Sequence, residues 1–140
     1  MKRHESNVAY RVPYADTDQM GVVYYGNYLV YFERARNALL RGLDLCYAEI
    51  EQRGFGLPVL SAHVDYKAAA RYDDVLEIRG WLGDLRAIRL RVDCAVYRGD
   101  TLLAIGHTVH ALVDRKTLRP VKMPADMTDI FRRALGEGDE

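Results

Sequence analysis

The chain is poor in cysteine, with only Cys46 and Cys94 among its 140 residues. Two thiols cannot form the dense disulfide network that stabilises small secreted domains, so we expect both to stay reduced. Cys46 lies between Leu45 and Tyr47 without a nearby histidine or glycine turn, and Cys94 falls on the apolar phase of a predicted strand. Free cysteines in such surroundings behave as small apolar side chains, so both are predicted to be packing residues.

Charge of one sign and long apolar runs are also missing. The 20 Lys and Arg residues balance the 20 Asp and Glu residues, so the charge does not favour nucleic acid or an anionic lipid surface as a partner. No apolar run approaches the ~20 residues that a membrane-spanning helix requires. Residues 1–7 lack the apolar centre of a secretory signal. We therefore predict a cytoplasmic protein that neither binds nucleic acid nor inserts into membranes.

Apolar residues make up 49% of the chain, which is enough to form a substantial core. Because 140 residues are too few for two domains of ordinary size, we expect residues 1–140 to form a single domain. Alternation of apolar and polar residues predicts half-buried strands over residues 6–14, 60–67, 76–82 and 88–96. Residues 101–113 are apolar on both phases, apart from His107, Thr108 and His110, which predicts a central or interface-covered strand.

Helical spacing of apolar residues predicts a long, broadly apolar helix from about Gly26 to Leu43. Shorter helices are predicted over residues 47–52 and 126–135, and the acidic end of the chain is expected to fray. One strand, a long helix and then four strands predict an α+β fold, in which an antiparallel sheet curls around the helix.

Two acidic residues and a turn glycine, Asp16, Asp18 and Gly21, stand just before this helix. The N-terminus of a helix carries unpaired N–H groups and partial positive charge, which can hold an oxygen that gains negative charge during a reaction. A carboxylate beside it can activate water or attack directly. This arrangement suits acyl transfer.

The motif continues into the helix as Asp16-x-Asp18-x-x-Gly21-x-Val23-x-x-x-Asn27-Tyr28, followed by Phe32-Glu33-x-Ala35-Arg36. A supporting stretch farther along is Tyr66-Lys67-Ala68-Ala69-Ala70-Arg71-Tyr72-Asp73-Asp74. Together they resemble the hotdog-fold acyl-CoA thioesterases of the 4-hydroxybenzoyl-CoA thioesterase type, including the bacterial branch associated with the Tol-Pal system.

The resemblance implies a hotdog fold, with a five-stranded antiparallel sheet wrapped around a long central helix. It implies hydrolysis of a short-chain or aromatic acyl-CoA to a free acid and coenzyme A, with no cofactor beyond the coenzyme A of the substrate. Hotdog domains of this kind join their sheets edge to edge and place the active site at the protomer boundary. We therefore expect a homodimer or a homotetramer.

The resemblance also assigns catalytic roles to Asp18 and Tyr25. Asp18 would be the base or nucleophile, and the backbone N–H near Tyr25 would donate to the thioester carbonyl. Asp16 is predicted to shape the loop, although in a different register it would be the acting carboxylate. Members of the Tol-Pal-associated branch can carry a histidine where this chain has Tyr25, which leaves open whether a side chain protonates the leaving thiolate. Alternatively, Tyr24 and Tyr25 wall the acyl pocket.

Four residues are predicted to bind substrate: Tyr24, Asn27, His63 and Arg86. Asn27 either orients the catalytic loop or caps the helix start. His63 projects from the polar phase of its strand and would line the pocket rim. Arg86 lies where related enzymes place basic residues against coenzyme A phosphates, which suits the planar guanidinium group. Lys67 and Arg71 are weaker candidates for the same contact.

Metal binding is not expected, because His63, His107 and His110 have no cysteine or acid at ligand spacing. A hotdog dehydratase is disfavoured as well, because it would need a histidine on the helix between Gly26 and Gly42, which contains none. A non-catalytic module that binds acyl-CoA without turnover stays open as the alternative function.

Overall fold

The computed structural model describes residues 3–136. The strands are β1 (Glu5–Arg11), β2 (Phe55–Gly56), β3 (Val59–Tyr66), β4 (Val75–Arg86), β5 (Arg89–Arg98), β6 (Thr101–Ala111) and β7 (Val113–Asp114). The helices are a short 3₁₀ turn (Tyr14–Asp16), α1 (Asn27–Gly42), α2 (Tyr47–Gln52) and α3 (Ala125–Leu135). The acidic end that was predicted to fray lies outside the described residues.

Five strands form one antiparallel sheet in the order β1-β4-β5-β6-β3, and β2 pairs with β7 beside it. The sheet packs around α1, which confirms the predicted α+β architecture. Six side chains of α1 are buried against the sheet and recur with helical spacing: Tyr28, Tyr31, Phe32, Ala35, Leu39 and Leu40. The hydroxyl of Ser6 on β1 donates to the carbonyl of Ala35 at 2.8 Å, which fastens the edge of the sheet to the helix.

The predicted strand phases are confirmed on β4 and β5. Leu76, Ile78 and Leu82 on β4, and Leu90, Val92, Cys94 and Val96 on β5, point into the core and are at most 2% exposed. Cys94 packs against α1, and burial raises the pKa of its thiol to about 12. The predicted packing role of Cys94 is therefore confirmed, because such a thiol stays protonated. Cys46 is half-buried at the start of α2, with its thiol 3.6 Å from a Glu49 carboxylate oxygen.

Two strand boundaries differ from the predictions. The first strand ends at Arg11 rather than at residue 14, because Pro13 has no N–H to donate to a sheet and the chain turns into the 3₁₀ segment. The strand predicted over residues 101–113 is divided at Leu112 into β6 and β7, and β7 turns away to pair with β2. A strand of two residues has no alternation that a sequence pattern could detect.

Strand β3 was predicted to be half-buried, and in a single chain this is wrong. It forms one edge of the sheet, and every residue except Val64 is exposed. Val59 and Leu60 are each 48% exposed. Alternation in the sequence indicates residues that suit a covered surface, but nothing in residues 3–136 of the single chain covers this edge.

His110 on β6 is fully buried. Its Nδ1–H donates to the carbonyl of Leu57 at 3.1 Å, because a carbonyl can only accept, and its Nε2 then accepts from the Thr108 hydroxyl at 2.8 Å. Burial lowers its pKa to about 4, and the hydrogen bond to Leu57 offsets only part of that shift. His110 is therefore a neutral core residue. Among residues 3–136, no helix combines the length and apolar character that a bilayer crossing requires.

Candidate active site

The loop before α1 is a closed turn. Thr17 pairs with Val23 as an isolated bridge, and the Asp18 N–H donates to the carbonyl of Val22 at 2.9 Å. Gly21 reverses the chain with a φ of +76°, a conformation that side chains other than glycine rarely adopt. This glycine therefore allows Asp18 and the helix start to lie at the same end of the loop.

Asp18 is exposed on this turn. Its Oδ1 accepts a hydrogen bond from the Met20 N–H at 2.8 Å, which fixes the side chain against its own backbone. Within residues 3–136, the structure places no donor on the other oxygen, Oδ2. The carboxylate is thus oriented by one oxygen and accessible to a ligand through the other.

The first turn of α1 is wound more tightly than an α-helix. The N–H groups of Asn27, Tyr28 and Leu29 donate to carbonyls three residues earlier, at 2.9, 3.3 and 3.3 Å. Among the described residues, no acceptor meets the N–H of Tyr25 or of Gly26. Unpaired N–H groups at a helix N-terminus are donors for an oxygen with negative charge. The helix was predicted to start at about Gly26 and starts one residue later, at Asn27.

Asp16 connects the loop to the rest of the fold. Its Oδ2 accepts from the hydroxyls of Tyr10 at 2.6 Å and Tyr31 at 2.8 Å. Its backbone carbonyl accepts from the Tyr24 N–H at 2.9 Å and from the side-chain amide of Asn27 at 2.8 Å. Asn27 therefore contacts the loop, and no side chain among residues 3–136 caps α1.

Three tyrosines lie at the start of α1. The rings of Tyr24 and Tyr25 lie 4.5 Å apart, and the Tyr66 hydroxyl donates to the Tyr25 carbonyl at 3.0 Å. The hydrogen bond between the Tyr24 and Tyr25 hydroxyls raises the pKa of Tyr24, and the nearby charge of Asp18 raises it further. A Cβ on Gly26 would lie 2.8 Å from Cε2 of Tyr24, so a larger residue at this position would displace that ring.

The stretch from Tyr66 to Asp74 packs against this loop. The Val23 N–H donates to the carbonyl of Ala70 at 2.8 Å, and Arg98 donates to the Ala69 carbonyl and the Asp74 carboxylate. Desolvation would raise the pKa of Asp74, but hydrogen bonds from the Arg71 N–H and from Arg98 outweigh it and lower the pKa. Lys67 and Arg71 are exposed on this segment, and Arg71 directly follows Ala70.

The structure brings Asp18, Tyr24, Tyr25 and Asn27 together but places Arg86 elsewhere in the single chain. Strand β4 begins at Val75, next to the loop, and ends at Arg86. A strand of 12 residues spans roughly 36 Å. Arg86 is exposed there and pairs with Asp84 at 2.9 Å. A contact between Arg86 and a ligand at the Asp18 loop therefore requires a second copy of the chain.

His63 lies on the outer face of the sheet. Its neighbour Val64 packs against the core, and successive strand residues point to opposite faces. The ring of His63 stacks on His107 at 5.6 Å, and its Nε2 lies 3.1 Å from an Asp65 carboxylate oxygen. In a single chain it does not join the Asp18 group. Within residues 3–136, no three His, Cys, Asp or Glu side chains come close enough to hold a metal ion.

Sequence reasoning missed the roles of Tyr10, Tyr31 and Tyr66. All three were treated as apolar residues of a strand or helix face. Tyr31 is 1% exposed, and a tyrosine hydroxyl buried to that extent needs a hydrogen-bond partner. The need for a partner is therefore general, but the sequence pattern does not indicate that the partner is Asp16, which lies fifteen residues before Tyr31.

The chain is similar to known thioesterases in sequence and structure. It matches the Thioesterase-like superfamily over residues 12–131. It is 32% identical to the putative acyl-CoA thioesterase YneP of Bacillus subtilis (strain 168), across 85% of this chain and 87% of that protein. It is 31% identical to the acyl-CoA thioester hydrolase YbgC of Escherichia coli O6:H1, across 88% and 92%. The structure of the DHNA-CoA thioesterase from Staphylococcus aureus superposes with a TM-score of 0.90 at 25% identity, covering 96% of this chain and 93% of that one.

A five-stranded antiparallel sheet around a long helix, with an acidic loop at the helix start, defines the chain as a hotdog protein. The chain belongs to the thioesterase-like superfamily. The predicted family, hotdog fold and enzyme class, a thioester hydrolase, are therefore confirmed.

Proposed function

We propose that the protein hydrolyses an acyl-CoA thioester to a free acid and coenzyme A. One observation carries the proposal: an exposed carboxylate, Asp18, lies on the closed turn that directly precedes the unpaired N–H of Tyr25. The names of the relatives support the same chemistry, since YneP and YbgC are both described as acting on acyl-CoA. The substrate class is therefore an acyl group carried on coenzyme A.

The thioester carbonyl oxygen accepts hydrogen bonds from the N–H groups of Tyr25 and Gly26, which stabilise the charge of the tetrahedral intermediate. Asp18 acts in one of two ways. As a base it takes a proton from water while the water oxygen attacks the carbonyl carbon, and the C–S bond then breaks as the thiolate leaves and is protonated. As a nucleophile its Oδ2 attacks the carbon, expels the thiolate and leaves a mixed anhydride that water hydrolyses. No metal or redox cofactor enters either route.

The acyl pocket is walled by the rings of Tyr24, Tyr25 and Tyr66. Their exposed fractions are 44%, 62% and 49%, so these rings present a large apolar surface with hydroxyl groups at its edge. Short-chain and aromatic acyl groups both suit this surface. The hydroxyls of Tyr24 and Tyr25 are the proposed groups that protonate the leaving thiolate.

A second copy of the chain completes the site, joined through β3. This strand is an edge of the sheet that pairs with β6 on one side only, and it exposes Val59 and Leu60. Its outer side is therefore a template for pairing with another strand. Leu60→Glu places a charge on that edge and is expected to convert the dimer or tetramer to a single chain in light scattering. Leu118→Glu, on a loop where Leu118 is 71% exposed, is the control and leaves the mass unchanged.

Coenzyme A is held by basic side chains around the site. Arg71 directly follows Ala70, whose carbonyl is bonded to the Asp18 loop, and Lys67 is exposed on the same segment. Arg86 reaches the phosphates only from another copy, and His63 lines the rim only if the partner's loop approaches the outer face of β3. A cytoplasmic location, where acyl-CoA substrates are made and used, fits this function.

A non-catalytic acyl-CoA-binding module is the second candidate, and the bond from the Met20 N–H to Asp18 favours it, because that bond gives Asp18 a purely structural use. Thiol release from a panel running from acetyl-CoA to benzoyl-CoA and long-chain acyl-CoA separates the two. Turnover of any member with a clear acyl preference supports the thioesterase. Calorimetric binding of acyl-CoA without thiol release supports the binding module and overturns the thioesterase.

A further inference from the structure

We propose that Asp16 is a positioning residue, held by the hydroxyls of Tyr10 and Tyr31, that sets the spacing between Asp18 and the Tyr25 N–H. This role rests on the proposed function, in which those two groups act on the same thioester. It gives Asp16 a part in catalysis without contact to the substrate.

The carboxylate of Asp16 joins three elements. Tyr10 belongs to β1, Tyr31 to the second turn of α1, and Asp16 to the end of the 3₁₀ turn between them. Both hydroxyls donate to the same oxygen, Oδ2, at 2.6 and 2.8 Å, and the two rings lie 5.1 Å apart. Hydrogen bonds to a charged acceptor are short and strong, so the loop is anchored to the strand and the helix at once.

The surroundings of both tyrosines keep their hydroxyls protonated. Tyr31 is buried, and Tyr10 is half-buried with the guanidinium of Arg34 lying 4.6 Å over its ring. Desolvation, followed by the hydrogen bond to Asp16, raises the pKa of Tyr10 to about 12, and the same causes in the same order raise the pKa of Tyr31. The hydroxyls therefore keep their protons and go on donating across the pH range in which a thioesterase works.

The backbone of Asp16 connects its fixed carboxylate to the catalytic groups. Its carbonyl holds the Tyr24 N–H, and Tyr24 directly precedes the donor residue Tyr25. The same carbonyl holds the side chain of Asn27 in the first turn of α1. Asp18 follows Asp16 by two residues, and the Asp18 N–H is bonded within the turn that Thr17 and Val23 close. A rotation of Asp16 therefore shifts the base and the N–H donor relative to each other.

Removing either hydroxyl should impair the chemical step rather than binding. Tyr10→Phe and Tyr31→Phe each keep the ring but remove one of the two hydrogen bonds to the Asp16 carboxylate. A misplacement of about 1 Å costs up to ~100-fold in rate, so we expect kcat to fall about 10- to 100-fold while KM changes less than about threefold. In an Asp16→Asn background the two tyrosine substitutions should lower kcat little further, because all three residues act as one unit. Tyr97→Phe, a hydroxyl removed from the outer face of β5, is the control and leaves kcat unchanged.

Hydrogen exchange of the Tyr24 amide is the second readout, since that N–H donates to the Asp16 carbonyl whatever the activity of the protein. We expect its exchange to accelerate in Tyr10→Phe, Tyr31→Phe and Asp16→Asn, while the amides of β5 keep their protection. Thermal unfolding of each variant verifies that it is folded at the assay temperature.

The outcomes separate this role from the proposed function. Loss of kcat together with faster Tyr24 exchange supports it. Folded tyrosine variants with the kcat of the wild type overturn it, even if their thermal stability is lower. If the wild type releases no thiol from any substrate, the proposed thioesterase fails, and Tyr24 exchange alone then decides: acceleration supports Asp16 as the loop anchor, and unchanged exchange overturns it.

Discussion

The hydroxyl of Tyr66, the last residue of β3, donates a hydrogen bond of 3.0 Å to the backbone carbonyl of Tyr25 at the start of α1. That carbonyl belongs to the peptide whose N–H is the unpaired N–H of Gly26. A hydrogen bond to a peptide carbonyl polarises the N–H on its other side, which makes the N–H a stronger donor. The edge strand thus supports the groups that we assign to the thioester carbonyl.

Tyr66→Phe tests this support. Loss of one neutral hydrogen bond is worth about 1 kcal/mol, so kcat is expected to fall about threefold to tenfold with KM nearly constant. Tyr72→Phe is the matched control, because it removes an exposed tyrosine hydroxyl from the neighbouring segment without touching Tyr25. Equal kcat values for Tyr66→Phe and the wild type, measured by thiol release, would show that the bond has no role in catalysis.

Gly21→Ala should damage both stability and turnover. Gly21 has a φ of +76°, and a side chain in this left-handed region costs about 1–2 kcal/mol. Gly54 has a φ of +87° and open space around it, so Gly54→Ala carries a similar strain far from the loop. Urea denaturation should show comparable destabilisation of both variants, whereas kcat should fall only in Gly21→Ala. A loss of kcat in both would mean that strain alone, and not the shape of the loop, reduces turnover.

Arg71→Ala should weaken the binding of coenzyme A thioesters. Arg71 is exposed beside the loop and can donate to a phosphate, so its removal is expected to raise KM about threefold to tenfold. The matching acyl-pantetheine substrate has no nucleotide phosphates and should show no such change. Arg86→Ala in the same assay tests the contact from a second copy. An Arg71→Ala effect of equal size on both substrates would assign that residue to the loop rather than to the phosphates.

The stability of the protein should fall with acid because of His110. Its pKa is lowered from 6.5 to about 4 by burial, so between these values the unfolded chain is protonated and the folded chain is not. The contribution of neutral His110 to the free energy of unfolding is complete above pH 6.5 and is lost progressively as the pH falls towards 4. One pKa unit corresponds to 1.36 kcal/mol, so we expect the free energy of unfolding to be about 2 kcal/mol lower at pH 5 than at pH 7.5.

Urea denaturation at the two pH values measures this difference, and His110→Gln should flatten it. An NMR titration of the His110 ring in the wild type gives the same information without a variant. A ring that titrates near 6.5 in the folded protein would contradict the assignment.

The long helix and its position were predictable because the helical spacing of apolar residues is repeated along the segment. Apolar residues recur over four turns, and the predicted helix from Gly26 to Leu43 differs from the observed Asn27–Gly42 by one residue at each end. The loop was predictable for a different reason, because Asp beside a glycine that must take a positive φ is a local signal.

The contacts of Asp16 could not be predicted from local pattern. Tyr10 is six residues before it and Tyr31 is fifteen after it, so their meeting depends on how β1 and α1 pack. The location of Arg86 depends likewise on the length and direction of β4. The exposure of β3 depends on a surface that a single chain does not provide. Spatial relations between distant segments are a property of the fold, and composition and periodicity do not contain them.

The kcat of Asp18→Asn is the measurement that tests the central claim most directly. Asparagine keeps an oxygen for the Met20 N–H and so preserves the turn, but it can neither remove a proton from water nor attack a thioester. General-base catalysis contributes about 100-fold or more, so thiol release from the preferred acyl-CoA is expected to slow by at least about 100-fold with the fold intact. Turnover of Asp18→Asn at the rate of the wild type would contradict the account and remove Asp18 from the reaction.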